Sequence, residues 1–422
     1  MIFIEKDLAL FDDLELFNQF VYQPQLGDTK NQLKPRDEFY QIWTPFYMDS
    51  QLKNLMNDEK EPNTGKRKRR KRKAPSPALE GGEMRDFLFS NCRHVRSLFE
   101  KFKSAFKSFD DANNQRNNEI ARRCVKMAPL FHHSVLFADG SGLLETVKMA
   151  ESVKMANCPF PFSSPAHLAT TDGEADGRDN AAILCSNARN CPLLVDSCIF
   201  PPKSSFLLGD VALTRHFLSQ QFDKFDFIVA DPPWPNRTVK RQRTYQMFRA
   251  GKLSLDHPLD RLGQLPIPQI LADGALFCIW LSNSRTAHTV AHELLDKWKM
   301  RKLAQWHWLK ICRTGEPVCA FRPEHKVPFE SLLIACKDCA ADTAKWEKIP
   351  RDFCVVSVPN ANPSRKPPIS LLLQQLGFIC PVKNGLELYA RYLLPNFTSV
   401  GYEATKFQHQ YYFHSINHNV AE

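Results

Sequence analysis

The chain has 422 residues, 43% of them hydrophobic and 24% charged, with a net charge of +10. That length accommodates two or three domains, and the composition is that of a folded protein rather than a disordered or fibrous one. No run of about 18 uninterrupted apolar residues occurs, so no membrane-spanning helix is predicted.

The first residues, MIFIEKDLALFDDLEL, carry acids throughout and lack the basic start and apolar core of a signal peptide. Residues 1–60 read as an N-terminal helical segment, with Phe11, Leu14, Leu16, Phe17 and Phe20 on one helical face. Residues 61–83 read as a disordered linker, because they are charged, bounded by Pro and Gly, and have nothing apolar to bury. Inside it, KRKRRKRK spans Lys66 to Lys73 and supplies eight of the positive charges. Such a block is a solvated charge run, a nuclear import signal or a phosphate-contacting arm, and the three are compatible. The expected location is nuclear, with cytoplasmic residence also allowed.

Residues 84–160 read as a second helical region, with Phe87, Cys92, Val95, Leu98, Phe99, Phe102 and Phe106 at mixed three- and four-residue spacing. Three copies of VKMA in this region are too short to be solenoid units. Residues 161–190 read as a flexible connector. Thirteen cysteines, an odd number with several inside apolar runs, read as reduced thiols. Cys336 and Cys339 form a CxxC with no second pair at zinc-ribbon spacing, so no metal site is predicted.

From residue 191 to 422 the texture becomes α/β. Predicted strands cover Ser205 to Leu208, Phe225 to Ala230, Ala275 to Leu281, Ala304 to Leu309, Ser331 to Cys336, Phe353 to Val358 and Leu386 to Ala390. Helices are predicted for Val211 to Gln220, Arg285 to Met300 and Ile369 to Leu376. This alternation argues for a mostly parallel sheet covered on both faces. Ligands of such sheets bind beyond the carboxyl ends of the strands.

Asp231 sits at such an end, in DPPW. The two prolines fix the backbone and carry no N–H. Asp231 with a carbonyl of Pro232 or Pro233 makes a rigid acceptor fork, suited to an exocyclic amino group. Trp234 offers a face for a base, and stacking of that kind is worth about 1–3 kcal/mol. Asn236, Arg237, Lys240, Arg241 and Arg243 follow in a cationic loop suited to phosphates. The competing structural reading makes DPPW a surface turn whose Trp caps the core.

The ordered segments DPPWPNRTVKR, LPIPQI, WHWLKICRTGEPV, HKVPFESLL, RKPPISLLL and LELYARYLLPNFTSVGYEATKFQH resemble the MT-A70 family of adenine-N6 methyltransferases, and most of all its methyltransferase-like protein 4 branch. The resemblance implies a Rossmann-like domain that uses S-adenosylmethionine and methylates N6 of adenine. It implies that Asp231, Pro232 and Pro233 hold the target nitrogen and that Trp234 stacks on the base. It assigns the cofactor's adenine to Asp210 and Val211, its carboxylate to Lys366, and its ribose to Glu387 and Arg391. Tyr392, Gly401, Tyr402 and Glu403 fall in further cofactor-binding positions. At Tyr392 and Tyr402 the branch usually carries asparagine, and Arg365 replaces a histidine. Trp308, His325, Lys326 and Glu330 fall in segments facing cofactor or RNA. The branch implies an internal 2′-O-methyladenosine of small nuclear RNA as target, so RNA is favoured over DNA. DNA adenine methylation, or nucleic-acid binding with a degraded cofactor site, remain the alternatives.

Overall fold

A computed structural model describes residues 3–5, 7–20, 32–45, 79–102, 118–128, 184–187, 193–195, 198–207, 211–218, 223–234, 262–321, 327–337, 346–362, 365–401 and 403–416. The strands, in chain order, are β1 (Phe3–Glu5), β2 (Leu8–Leu10), β3 (Gln32–Pro35), β4 (Leu184–Asn187), β5 (Leu193–Val195), β6 (Cys198–Phe200), β7 (Ser204–Leu207), β8 (Phe225–Ala230), β9 (Leu271–Leu281), β10 (Met300–Lys310), β11 (Phe329–Lys337), β12 (Asp352–Ser357), β13 (Gly385–Leu388), β14 (Phe397–Val400) and β15 (Phe413–Ile416).

Eleven of them form one sheet in the order β1-β2-β12-β10-β11-β9-β8-β13-β14-β7-β4. Six of its ten pairings are parallel. The antiparallel exceptions include β11, which runs against both β9 and β10. The sheet is therefore mostly parallel, as the alternation predicts, but mixed at its centre. No residue count separates an antiparallel insertion from a parallel return when the connection is long.

The apolar runs are long because both sheet faces are covered. Alternation sends Phe227, Val229, Leu276, Cys278 and Trp280 to one core. Ile228, Ala230, Phe277, Ile279 and Leu281 go to the other. The helix Arg285–Lys297 closes the second core with Ala287, Val290, Ala291, Leu294 and Leu295. The helix Ile369–Gln375 closes the first with Ile369, Leu371, Leu372 and Leu373. Val211–Leu218, predicted as an α-helix, forms a 3-10 helix.

The N-terminal segment differs most from its prediction. Its residues begin with two strands, and the helix covers only Asp13–Phe20. β2 lies parallel to β12, with Leu8 opposite Cys354 and Leu10 opposite Val356. Phe11, Leu16 and Phe17 sit in the first core. β3 pairs with β15 near the other end of the chain. The helix Leu79–Phe102 lays Cys92, Val95 and Phe99 over Leu309, Phe329 and Val356. Both predicted connectors are shorter than expected where they are described: residues 79–83 open the helix Leu79–Phe102, and residues 184–187 form β4 and pair with β7. The rest of each connector, the basic block at 66–73 and the later VKMA copies lie outside the described residues.

Candidate active site

Strand direction gathers the site. β8 ends at Ala230, and the Asp231 N–H continues its ladder by donating to the Leu388 carbonyl at 3.2 Å. β13 is parallel to β8, so Arg391 leaves the sheet at the same edge. β11 runs the other way, which brings its first residues, Phe329 and Glu330, to that edge. Lys310 ends β10 there. Lys366 comes from the turn that precedes the helix Ile369–Gln375.

These side chains form one alternating ionic chain. Arg391 Nη1 lies 2.5 Å from Asp231 Oδ2, and Lys366 Nζ lies 3.6 Å from Asp231 Oδ1. Lys366 also bonds Glu330, which in turn bonds Lys310. On the other side Arg391 Nε donates to Glu403 at 3.1 Å, and Lys406 meets Glu403 at 2.9 Å. Burial opposes the charge on Glu330, yet Lys310 and Lys366 outweigh it and hold this acid well below the usual carboxylate range. Burial also opposes the charge on Lys366, but Asp231 and Glu330 outweigh it and raise its pKa. Glu330 and Lys366 therefore each favour the charged form of the other.

Beside this chain is a pocket lined by Val229, Trp280, Pro367, Ser370, Glu387 and Tyr392, among others. Glu387 Oε2 and Ser370 Oγ are buried with no protein partner. Burial and the nearby Asp231 charge push the Glu387 carboxyl up to about 8, against the pull of Arg391 and Arg365. Buried polar atoms without partners are rare, and two in one pocket mark a place for a polar ligand.

Arg365 backs the pocket. It is 4% exposed, and its guanidinium lies 4.3 Å from the Phe17 ring centre, 5.5 Å from Tyr392 and 5.8 Å from Phe407. Phe17 meets Tyr392 edge-on at 5.6 Å. The N-terminal helix thus packs behind Tyr392, a residue of the pocket lining. Sequence reading missed this, because Phe17 signals only an amphipathic helix.

The DPPW corner is more constrained than the sequence suggests. The Trp234 N–H donates to the Pro232 carbonyl at 2.8 Å, an i to i+2 bond that closes a γ-turn around Pro233. One lone pair of the Pro232 carbonyl is thereby committed to the turn. Trp234 is 5% exposed, and its indole N–H donates to the Trp280 carbonyl at 2.7 Å. The ring is a core element.

The remaining predicted residues divide in two. Val211 is buried at the start of its 3-10 helix, and Gly401 donates its N–H to the Leu207 carbonyl at 3.1 Å, at the same strand edge. Trp308 requires a correction, because at 1% exposure it offers no surface to a nucleic acid. Its indole bonds Ser357 Oγ at 2.9 Å, and Lys310 lies 4.3 Å above its ring, so it supports Lys310 from beneath. Asp210, Tyr402, Asn236, Arg237, Lys240, Arg241, Arg243, His325 and Lys326 lie outside the described residues. Ser370 and Lys310 were not singled out from the sequence, although both stand inside the quoted motifs.

Comparison with known proteins gives this geometry a family. The MT-A70 family model matches residues 225–403. A Caenorhabditis elegans protein named DNA N6-methyl methyltransferase is 32% identical over 387 residues, covering 90% of this chain and 92% of that protein. The chain belongs to the MT-A70 family. It is also 37% identical over 233 residues to human N(6)-adenine-specific methyltransferase METTL4, covering 53% of this chain and 46% of the human protein. A Pyricularia oryzae protein named N6-methyladenosine RNA methyltransferase MTA1 is 32% identical over 213 residues, covering 50% of this chain and 54% of the fungal one.

MT-A70 proteins are S-adenosylmethionine-dependent adenine-N6 methyltransferases with a Rossmann-like fold, and this chain is such an enzyme. The cofactor supplies a methyl group on a sulfonium centre. The residues present fit it: Glu387 Oε2 and Ser370 Oγ are buried acceptors without partners, and Lys366 is a cation for a carboxylate. Asp231 presents two carboxylate oxygens at this edge, and they face Arg391 and Lys366.

Proposed function

We propose that the acceptor is RNA, and that the target is N6 of an internal 2′-O-methyladenosine in a small nuclear RNA. Asp231 takes a hydrogen bond from the amino group and offsets the positive charge that grows on N6 as it takes the methyl group from the sulfonium, which leaves as a neutral thioether; N6 then sheds one proton to solvent. Rate is gained by positioning and by fixed charge, without a covalent intermediate. The RNA reading is supported by the resemblance to the methyltransferase-like protein 4 branch and by the fungal relative whose name specifies RNA.

DNA is the second reading. The relative that aligns over 90% of this chain carries DNA in its name. Both acceptors present the same amino group to Asp231, so the corner itself does not choose between them. The test is methylation of matched RNA and DNA oligonucleotides, with and without 2′-O-methyl on the target adenosine, beside Asp231→Ala. Faster transfer to the 2′-O-methylated RNA is expected, with none in the variant. Preference for DNA would overturn the RNA reading, and transfer by the variant would overturn the role of Asp231.

A nuclear location is part of the same proposal, supported by KRKRRKRK at 66–73. Deleting that block should reduce nuclear retention or flatten the salt dependence of RNA binding.

A further inference from the structure

Away from the pocket, three residues from distant segments converge under the helix Leu79–Phe102. His307 lies on β10 between Trp306 and Trp308, so alternation turns it to the other face of the sheet. There it is 3% exposed, with Ser331 Oγ 3.2 Å from its Nδ1 and the Phe329 ring edge-on at 5.7 Å. His94 descends from the helix, and its ring centre lies 5.8 Å from that of His307. Asp352 opens β12, the strand beside β10, and its Oδ2 lies 2.8 Å from His94 Nε2. One nitrogen of each ring and one Asp352 oxygen all lie within 4.8 Å of one another.

We propose that His94, His307 and Asp352 bind one divalent first-row transition-metal ion of the zinc class, which clasps the helix Leu79–Phe102 to the sheet.

The donor set selects the ion class. Two imidazoles and a carboxylate suit zinc and its neighbours, whereas magnesium and calcium favour all-oxygen shells. Tetrahedral zinc with bonds near 2.1 Å places its donors roughly 3.4 Å apart. The present spacing runs from 2.8 Å up to a bound of 4.8 Å, so small side-chain adjustments reach that arrangement. His307 is held in place by Ser331 and Phe329, the outer contact a metal-binding histidine needs. The side chains of His94 and Asp352 are 40% and 54% exposed, which gives an ion a route from solvent. Three protein donors leave a fourth position for water.

The clasp has a structural purpose. It ties a helix near the start of the chain to β10 and β12, and so closes a very long loop. It also reaches the active site through one strand, since β10 carries both His307 and Lys310. The methyl transfer itself needs no metal, so the ion acts on the scaffold.

The test uses the full chain, stripped with a chelator, dialysed, and titrated with zinc and separately with cobalt(II). One equivalent per chain is expected, with a rise in melting temperature. The cobalt spectrum should show visible bands of nitrogen and oxygen ligation, without an intense thiolate band. His94→Ala and Asp352→Asn should each weaken binding at least tenfold and remove the thermal shift. Both positions are partly exposed, so two independent variants keep the fold testable by circular dichroism. Absence of stoichiometric binding would overturn the site. A thiolate band, or equal binding by wild type and both variants, would assign the metal to cysteines instead and overturn it equally.

Discussion

Arg391 Nη1 sits 2.5 Å from Asp231 Oδ2, so the candidate catalytic carboxylate is held by a cation from the neighbouring strand's exit. The contact joins the end of β8 to the end of β13, and it sets where Asp231 points. The Asp231 side chain is only 15% exposed, which makes the pair partly shielded from solvent. Removing one partner from a buried pair is commonly worth about 3–5 kcal/mol. Arg391→Ala should therefore lower the melting temperature by several degrees and weaken S-adenosylmethionine binding tenfold or more. Differential scanning fluorimetry and cofactor titration check both. Asp231→Asn removes the charge of the same pair from the other side, so it should also lower the melting temperature, and it should reduce transfer at least a hundredfold.

The Glu387 carboxyl, pushed up to about 8 by burial and by Asp231, makes a pH prediction. A raised folded-state pKa means that the folded chain holds the proton more tightly than the unfolded chain does. The resulting stability is full below about 4.5, the ordinary glutamate value, and is lost as pH rises through about 8. Asp13, raised to about 8 by burial and by Asp12, acts in the same direction. Wild-type stability without cofactor should fall between pH 5 and 8.5 by an amount on the order of a few kcal/mol. Glu387→Gln should flatten part of that fall. Denaturant midpoints across the range measure it, and an unchanged slope in the variant would refute the assignment.

Phe17 couples the N-terminal helix to the pocket through Arg365 and Tyr392. Phe17→Ala removes a fully buried ring, a change that costs about 3–5 kcal/mol. It also releases Arg365 from the nearest of its three rings. Cofactor affinity should fall along with stability. Isothermal titration with S-adenosylmethionine below the variant's melting point separates the two effects.

Trp234→Phe keeps an aromatic ring but loses the N–H that bonds the Trp280 carbonyl at 2.7 Å. The expected loss is about 2–3 kcal/mol, because the Trp280 carbonyl loses its donor and the smaller ring leaves a cavity. Cofactor binding should be preserved. A variant with unchanged stability but lost transfer would show that the indole leaves the core to meet the base.

Gly385 opens β13, and a methyl group there would lie 2.5 Å from the Phe397 ring of β14. Gly385→Ala should cost about 1–3 kcal/mol through overpacking. Because β13 leads to Glu387 and Arg391, cofactor binding should weaken with it. Thermal melts of the two chains side by side decide the point.

Much of the architecture follows from local pattern. Phe225–Ala230 forms the strand its apolar run predicts, and Arg285–Lys297 buries the stripe of Val290, Leu294 and Leu295. Such elements are legible because burial on two faces, or on one helical stripe, writes its period directly into the residues. The DPPW motif and the ordered segments after it likewise announce adenine-N6 chemistry and S-adenosylmethionine without any coordinates.

What the linear chain does not contain is direction and distance. β11 runs against its neighbours, and only that reversal brings Glu330 to the edge where Asp231 and Lys366 stand. β2, three residues long, has too little length to show a period, and its partner β12 lies at the far side of the chain. Trp308 and Trp234 look alike in sequence to exposed stacking residues, yet packing from both sides buries them. Residue type therefore determined the chemistry this protein carries. The pairing of remote strands decided which charges meet, because contact between distant segments depends on the whole sheet rather than on any local run.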